Sequence, residues 1–204
     1  MEMRRRGFLL GAAAGACGAL GERAMPDSRL GEAHQPGRAA ISPPGTDLVR
    51  LRARCTGCNL CVAKCPTKVL RAATLEYGIA GTMMPVMDFT RGYCEKVCVR
   101  CGEVCPTGAI RRLAKEEKAK EKIGLAALVA GWEEKCLARK DGHPCALCEK
   151  HCAYGAIKVT EEKDKDSKKK VRSPVVDTSA CVGCGACEHV CPAHALAVGR
   201  NMLQ

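Results

Sequence analysis

Cys55-Thr56-Gly57-Cys58-Asn59-Leu60-Cys61-Val62-Ala63-Lys64-Cys65-Pro66 is the stretch on which the reading of this chain turns. Four cysteines follow one another at gaps of two, two and three residues, and a proline closes the run. The grouping returns three times, as Cys94-x3-Cys98-x2-Cys101-x3-Cys105-Pro106, Cys136-x8-Cys145-x2-Cys148-x3-Cys152-Ala153 and Cys181-x2-Cys184-x2-Cys187-x3-Cys191-Pro192. Of the 17 cysteines only Cys17 stands outside the four groups.

This spacing is the one that bacterial ferredoxins use to hold a cubane [4Fe–4S] cluster. Two residues between ligands let a tight loop turn three thiolates toward one cluster, and Gly57, Gly183 and Gly185 ease the turn. The fourth cysteine lies about one helical turn past the third, faces the other way, and serves a neighbouring cluster. Zinc would account for pairs of Cys-x2-Cys but not for a fourth cysteine after x3 in every run. Disulfides suit an exported protein, but gaps of two residues repeated this way make poor disulfide geometry. The expected cofactors are therefore four [4Fe–4S] clusters, with all sixteen motif cysteines as ligands.

Composition agrees. Aromatic residues make up 3% of the 204 residues, too few for an ordinary aromatic core, so cysteines must help to hold the chain together. Each fourth cysteine leads to an apolar pair: Val69-Leu70, Ala109-Ile110, Ala156-Ile157 and Ala195-Leu196. Each reads as a short helix ending and a strand beginning. Further strands are expected at Leu125 to Val129 and at Val175-Val176. The fold class is α+β, with two ferredoxin-like lobes.

Two pairings of the motifs are open. Sequential pairing joins the first with the second and the third with the fourth. Nested pairing joins the two regular motifs, first and fourth, and inserts the two irregular ones between them. Regularity favours nesting. It predicts an outer lobe of about 47–80 and 173–204 and an inner lobe of about 81–172. Cys55, Cys58 and Cys61 would then share a cluster with Cys191, and Cys181, Cys184 and Cys187 one with Cys65.

Residues 1–24 read as an export signal: Arg4, Arg5 and Arg6 precede an apolar run from Phe8 to Leu20. Arg5-Arg6-Gly7-Phe8-Leu9 matches the twin-arginine pattern, the route for proteins exported already folded around a cofactor. The expected location is the periplasm, with peripheral membrane association. Whether the signal is cleaved, is kept as an anchor or leaves Cys17 lipidated is open. Residues 25–46, rich in Pro and Gly, read as a linker. The four-cluster domain is expected over 47–204.

The net charge of +11 invites a nucleic-acid partner. Each cluster with its thiolates carries about −2, however, so four contribute about −8. Removing residues 1–24 removes four arginines and two glutamates as well. The loaded mature chain is near neutral, and nucleic acid is not needed. The basic runs Arg111 to Lys122 and Lys163 to Arg172 read as a solvated helix and a polar loop between strands.

Nothing outside the cysteines looks catalytic. His34, His143, His151, His189 and His194 have no partner pattern, although His151 and His189 adjoin Cys152 and Cys191 and could tune a cluster. Met83, Met84 and Met87, and Tyr77, Tyr93, Trp132 and Tyr154, read as packing residues. The reading is an electron-transfer protein without a catalytic site of its own. The rivals are a permanently bound subunit of a molybdenum-containing or other oxidoreductase, and a redox sensor or assembly factor.

The twin-arginine start, Pro43-Pro44-Gly45 ahead of the first motif, the order of the four motifs, and Ile123-Gly124-Leu125-Ala126 ahead of the third resemble the NapG/MauM ferredoxin-type proteins. The resemblance runs from about residue 4 to 198. It implies a periplasmic relay that takes electrons from a quinol-oxidising membrane ferredoxin subunit and passes them toward a terminal reductase. The third motif departs from the pattern in lacking its proline.

Overall fold

A computed structural model describes residues 40–140, 142–163 and 170–199. The expected signal, and the linker as far as residue 39, lie outside these. Among the described residues no helix is long and apolar enough to cross a membrane.

The helices are short. α1 (Leu48–Arg54) starts where the Asp47 side chain accepts a hydrogen bond from the Arg50 N–H at 2.7 Å and leads straight into Cys55. The four motifs each carry a helix of four residues whose second residue is the third cysteine: α2 (Leu60–Ala63), α3 (Arg100–Glu103), α7 (Leu147–Lys150) and α8 (Ala186–His189). A single turn of this length has no stability of its own, so packing and whatever the cysteines hold must fix it. α4 (Lys115–Lys120) precedes the third motif, and α5 (Trp132–Lys135) and α6 (Leu137–Lys140) flank Cys136.

Strands follow the motifs as expected, with one exception. β1 (Leu70–Ala72), β4 (Ile157–Lys163) and β6 (Leu196–Gly199) begin at the second residue of the apolar pair. After the second motif Ala109 and Ile110 are buried but form no strand; Arg111 N–H instead donates to the Gly45 carbonyl at 3.0 Å. β2 (Pro85–Met87), β3 (Leu125–Leu128) and β5 (Lys170–Val176) complete the set. The basic run Lys163 to Arg172, expected as a loop, supplies the ends of two strands, β4 reaching Lys163 and β5 starting at Lys170.

Three antiparallel pairs organise the chain. β1 pairs with β2 (Leu70 opposite Met87), β4 with β5 (Ile157 opposite Val176), and β3 with β6 (Leu125 opposite Gly199). The first pair folds the chain back between motifs one and two, the second between motifs three and four. The third clasps the beginning and end of residues 125–199. This is the strand logic of sequential pairing. A connection of about a dozen residues closes at far lower entropic cost than one of more than a hundred, and the hairpins outweigh motif regularity.

Two further expectations are corrected. Residues 41 and 43–46, assigned to the linker, are buried, with Ile41 in the core and its carbonyl accepting from the Met87 N–H at 2.9 Å. Arg111 to Lys122 is not a wholly solvated helix: α4 covers only its middle, and Lys118 is buried, 2% exposed. The main core is continuous across both halves and includes Leu70, Phe89, Ile110, Ile123, Leu196 and Val198. A smaller cluster of Leu51, Ala73, Tyr77, Met84 and Val86 lies beside the first motif.

Candidate metal centres

The sixteen motif cysteines line four cavities, four to each. Cavity one gathers Cys55, Cys58 and Cys61 with Cys105. Cavity two gathers Cys94, Cys98 and Cys101 with Cys65. Cavity three gathers Cys136, Cys145 and Cys148 with Cys191, and cavity four Cys181, Cys184 and Cys187 with Cys152. The fourth cysteine of each motif crosses to its partner, as the ferredoxin rule requires, but the partner is the adjacent motif. Cys191 does not join Cys55, and Cys65 does not join Cys181. The nested lobes of 47–80 with 173–204, and 81–172, are thereby corrected.

Each cavity is walled mostly by apolar side chains, such as Val69, Leu70 and Met87 in cavity two and Ala126, Ile157 and Val198 in cavity four. Backbone N–H groups point at the sulfurs. Ala156 donates to Cys152 Sγ at 3.2 Å, Ala195 to Cys191 Sγ at 3.3 Å, and Ile110 to Cys105 Sγ at 3.4 Å. Gly57 donates to Cys55 Sγ and Ala126 to Cys181 Sγ, both at 3.4 Å. Such donors stabilise thiolate sulfur and raise the reduction potential of a bound cluster.

Glycine at two positions in motif four is a steric requirement. Gly183 has φ +74°, and a Cβ there would lie 2.3 Å from the Gly124 carbonyl carbon. Gly185 has φ +82°, and its Cβ would lie 1.9 Å from the Phe89 ring. The loop of cavity four is thus pressed between Ile123-Gly124-Leu125-Ala126 and a residue from the other half of the chain. Pro43-Pro44-Gly45 has a matching place, with Pro44 lining cavity two.

Burial pushes the thiols of Cys61, Cys94 and Cys148 up to about 11, and those of Cys101 and Cys187 to about 12. Neighbouring thiols add to the rise at Cys61, Cys101 and Cys187. Cys105 runs the other way: burial raises it, but hydrogen bonds from the Ile110 N–H and from Thr107 outweigh that and lower it. Gathering four buried thiolates without a cation is unfavourable, so loading with iron must release protons.

Among the described residues no group of three or more His, Cys, Asp or Glu is placed to hold a single metal ion, which is what a zinc site would need. Four sulfurs around a mostly apolar cavity fit a cubane cluster. The Tyr154 hydroxyl is buried beside cavity four with no hydrogen-bond partner among the described residues, and burial raises its pKa. A sulfur-rich anionic group there would accept a hydrogen bond from it.

The cavities run in series. α2 packs on α3, with Cys61 and Cys65 serving cavities one and two, and α7 packs on α8, with Cys148 and Cys152 serving cavities three and four. The halves meet where the Cys94 N–H of cavity two donates to the Cys184 carbonyl of cavity four at 2.8 Å. The order is one, two, four, three. Cys58, at the cavity one end, is the motif cysteine that is exposed.

His34 lies outside the described residues, and the two histidines that adjoin motif cysteines contact backbone carbonyls. His151 Nδ1 lies 3.0 Å from the Leu147 carbonyl, and His189 Nδ1 lies 3.2 Å from that of Phe89. Tyr77 packs as expected, its hydroxyl donating to the Pro85 carbonyl at 3.2 Å. The sequence reading missed Lys118, whose Nζ donates to the Glu95 carbonyl at 3.2 Å beside Cys94. Its one signal is Ala119, the small residue beside it in an otherwise charged run.

Comparison with known proteins finds a cluster-binding domain twice in the chain. The model of the 4Fe-4S dicluster domain matches residues 54–109 and again 143–195, one match to each pair of adjacent motifs. The second match begins past Cys136. The methylamine utilization ferredoxin-type protein MauM of Methylophilus methylotrophus is 34% identical over 83% of this chain and 72% of its own length. The ferredoxin-type protein NapG of Escherichia coli (strain K12) is 36% identical over 79% of this chain and 71% of its own. The MauM of Methylorubrum extorquens is 34% identical, over 74% and 68%. With its paired dicluster domains and four [4Fe–4S] clusters, this chain belongs to the ferredoxin-type electron-transfer proteins of the NapG and MauM family.

Proposed function

We propose that the sixteen motif cysteines ligate the four clusters in the sequential grouping, two clusters to each of two ferredoxin-like lobes, and that the chain is a relay with its terminals at cavities one and three. Each cluster supplies a one-electron couple whose potential its surroundings set. The residues fix the series: each ligand helix presents the motif's third cysteine to one cavity, and the fourth cysteine, just past its end, enters the neighbouring one. The apolar walls keep water from the sulfurs. The observation that carries this reading is the unbroken order of four-sulfur cavities.

Electrons enter from a quinol-oxidising membrane partner and leave toward a periplasmic reductase, as the family resemblance suggests. The cavity one face suits a docking partner. Exposed Leu60 lines that cavity beside exposed Cys58, and exposed Met83 lies against Gly57. The neighbouring segments carry Val49 in α1, 79% exposed, and Ile79, 87% exposed. Arg52 and Arg54 stand exposed in the last turn of α1, which leads into Cys55. Export by the twin-arginine route is part of the proposal.

The test uses the whole chain expressed with its signal. The expected product is a brown periplasmic protein with about 16 iron and 16 sulfide, from four cubanes. It should be reduced by membranes that oxidise quinol. Ile79→Glu should slow that reduction without changing the iron content. Arg5→Lys with Arg6→Lys should hold the loaded protein in the cytoplasm. Reduction unaffected by Ile79→Glu moves the docking face elsewhere. Normal export of the double variant removes the twin-arginine route.

A further inference from the structure

Lys118 is one of the largest fully buried side chains of the described residues, and its position is specific. It projects from α4, and its Nζ donates to the carbonyl of Glu95, next to Cys94. Its charge acts on the Cys94 thiol of cavity two and on the Cys184 thiol of cavity four. These residues form the hydrogen-bonded crossing between the halves. Among the described residues no carboxylate pairs with Lys118. A buried ammonium without a counter-charge is strongly unfavourable, and removing one member of a buried ion pair is costly. The anions within its reach are the cysteine sulfurs of two cavities and whatever they hold.

We propose that Lys118 is the shared counter-ion of the two central clusters, raising the potentials of both. This rests on the ligand grouping given above. Reduction adds one electron, hence one negative charge, to a cluster. A fixed positive charge nearby favours the reduced form, and more so in a low-dielectric interior than in water. Lys118 therefore makes the passage between halves a favourable resting place for electrons. It is a positioning charge and takes no part in ligation.

Lys96 supplies the internal control. It reaches the same crossing, its Nζ donating to the Ala153 carbonyl at 3.2 Å and lying 5.0 Å from the Tyr154 ring centre, but it is exposed. Solvent and salt screen it.

The experiment is a potentiometric titration of the full-length loaded protein, followed by electron paramagnetic resonance, with iron counted in parallel. The variants are Lys118→Met, Lys118→Gln, Lys118→Arg and Lys96→Met. Both neutral variants at 118 should keep about 16 iron, four per cubane, while two of the four potentials fall and two stay. Lys118→Arg should leave all four near the wild-type values, and Lys96→Met should move them less than Lys118→Met. Four unmoved potentials, four that fall alike, or iron lost from both neutral variants would overturn the proposal, the last by showing a purely structural role. Iron far below 16 in the wild type would instead sink the ligand grouping, and this proposal with it.

Discussion

Gly57 and Gly183 hold the same place in motifs one and four, two residues past the first cysteine, and both have positive φ, 66° and 74°. Their surroundings differ. A Cβ on Gly57 would meet the Met83 Cβ at 3.1 Å, a contact that a shift of a few tenths of an ångström relieves. A Cβ on Gly183 would meet the backbone of Gly124 at 2.3 Å. One motif thus serves two settings. Cavity one lies at a yielding rim, with Cys58 in solvent, and cavity four is set in a wall of packed backbone, with Cys181 and Cys187 buried. A cluster at the rim can meet a partner, whereas one in the wall can only pass electrons on.

The largest effect expected from this contrast is that of Gly183→Ala. Strain at positive φ and overpacking against fixed backbone together cost about 3 kcal/mol. Cavity four should lose its cluster, leaving about 12 of 16 iron. Gly57→Ala should cost only the strain, about 1 kcal/mol, and keep all its iron. Equal losses in the two variants would erase the distinction between rim and wall.

Next is sensitivity to oxidants. Brief treatment with ferricyanide should damage one cluster before the others, giving a single three-iron signal per chain. That signal should be missing once Cys55→Ala and Cys61→Ala have emptied cavity one. A first signal that survives the double variant would place the labile cluster elsewhere.

A smaller effect concerns the loop that carries Ile79. Glu76 is paired with Arg71 at 2.5 Å and accepts from the Thr74 N–H at 2.6 Å. Burial alone would raise its pKa, but the Arg71 hydrogen bond and the backbone N–H groups outweigh it and bring the carboxyl from 4.5 down to about 2. With the folded value depressed, the contribution is complete well above pH 4.5 and is lost as pH falls from there toward 2. Glu76→Gln should therefore lose iron somewhat faster than wild type at neutral pH, by a ratio that is constant down to about pH 5 and closes below it. A ratio that widens on acidification would contradict the pairing.

The ligand runs were legible because [4Fe–4S] spacing is a local property: Cys55 to Pro66 carries it within twelve residues. The strands at Leu70, Ile157 and Leu196 were legible for the same reason, each beginning in an apolar pair at a fixed distance from a motif. Pairing was not local. Cys65 carries no mark of whether motif two or motif four lies beside it; the β1–β2 hairpin decides, and its three-residue strands are a weak signal. Lys118 sits in a charged run that reads as a solvated face, and only the crossing of the two halves buries it. Pro44 lies in a stretch whose composition suggests a linker, yet it lines cavity two.

The grouping of the fourth cysteines is open to a direct count. Cys65→Ala with Cys101→Ala strikes cavity two twice, while Cys65→Ala with Cys187→Ala strikes cavities two and four. Sequential grouping predicts about 12 iron per chain for the first pair and about 8 for the second, against about 16 in the wild type, at four iron per cubane. Nested grouping reverses the two counts. About 8 iron in Cys65→Ala/Cys101→Ala with about 12 in Cys65→Ala/Cys187→Ala would contradict the order of cavities on which the relay rests.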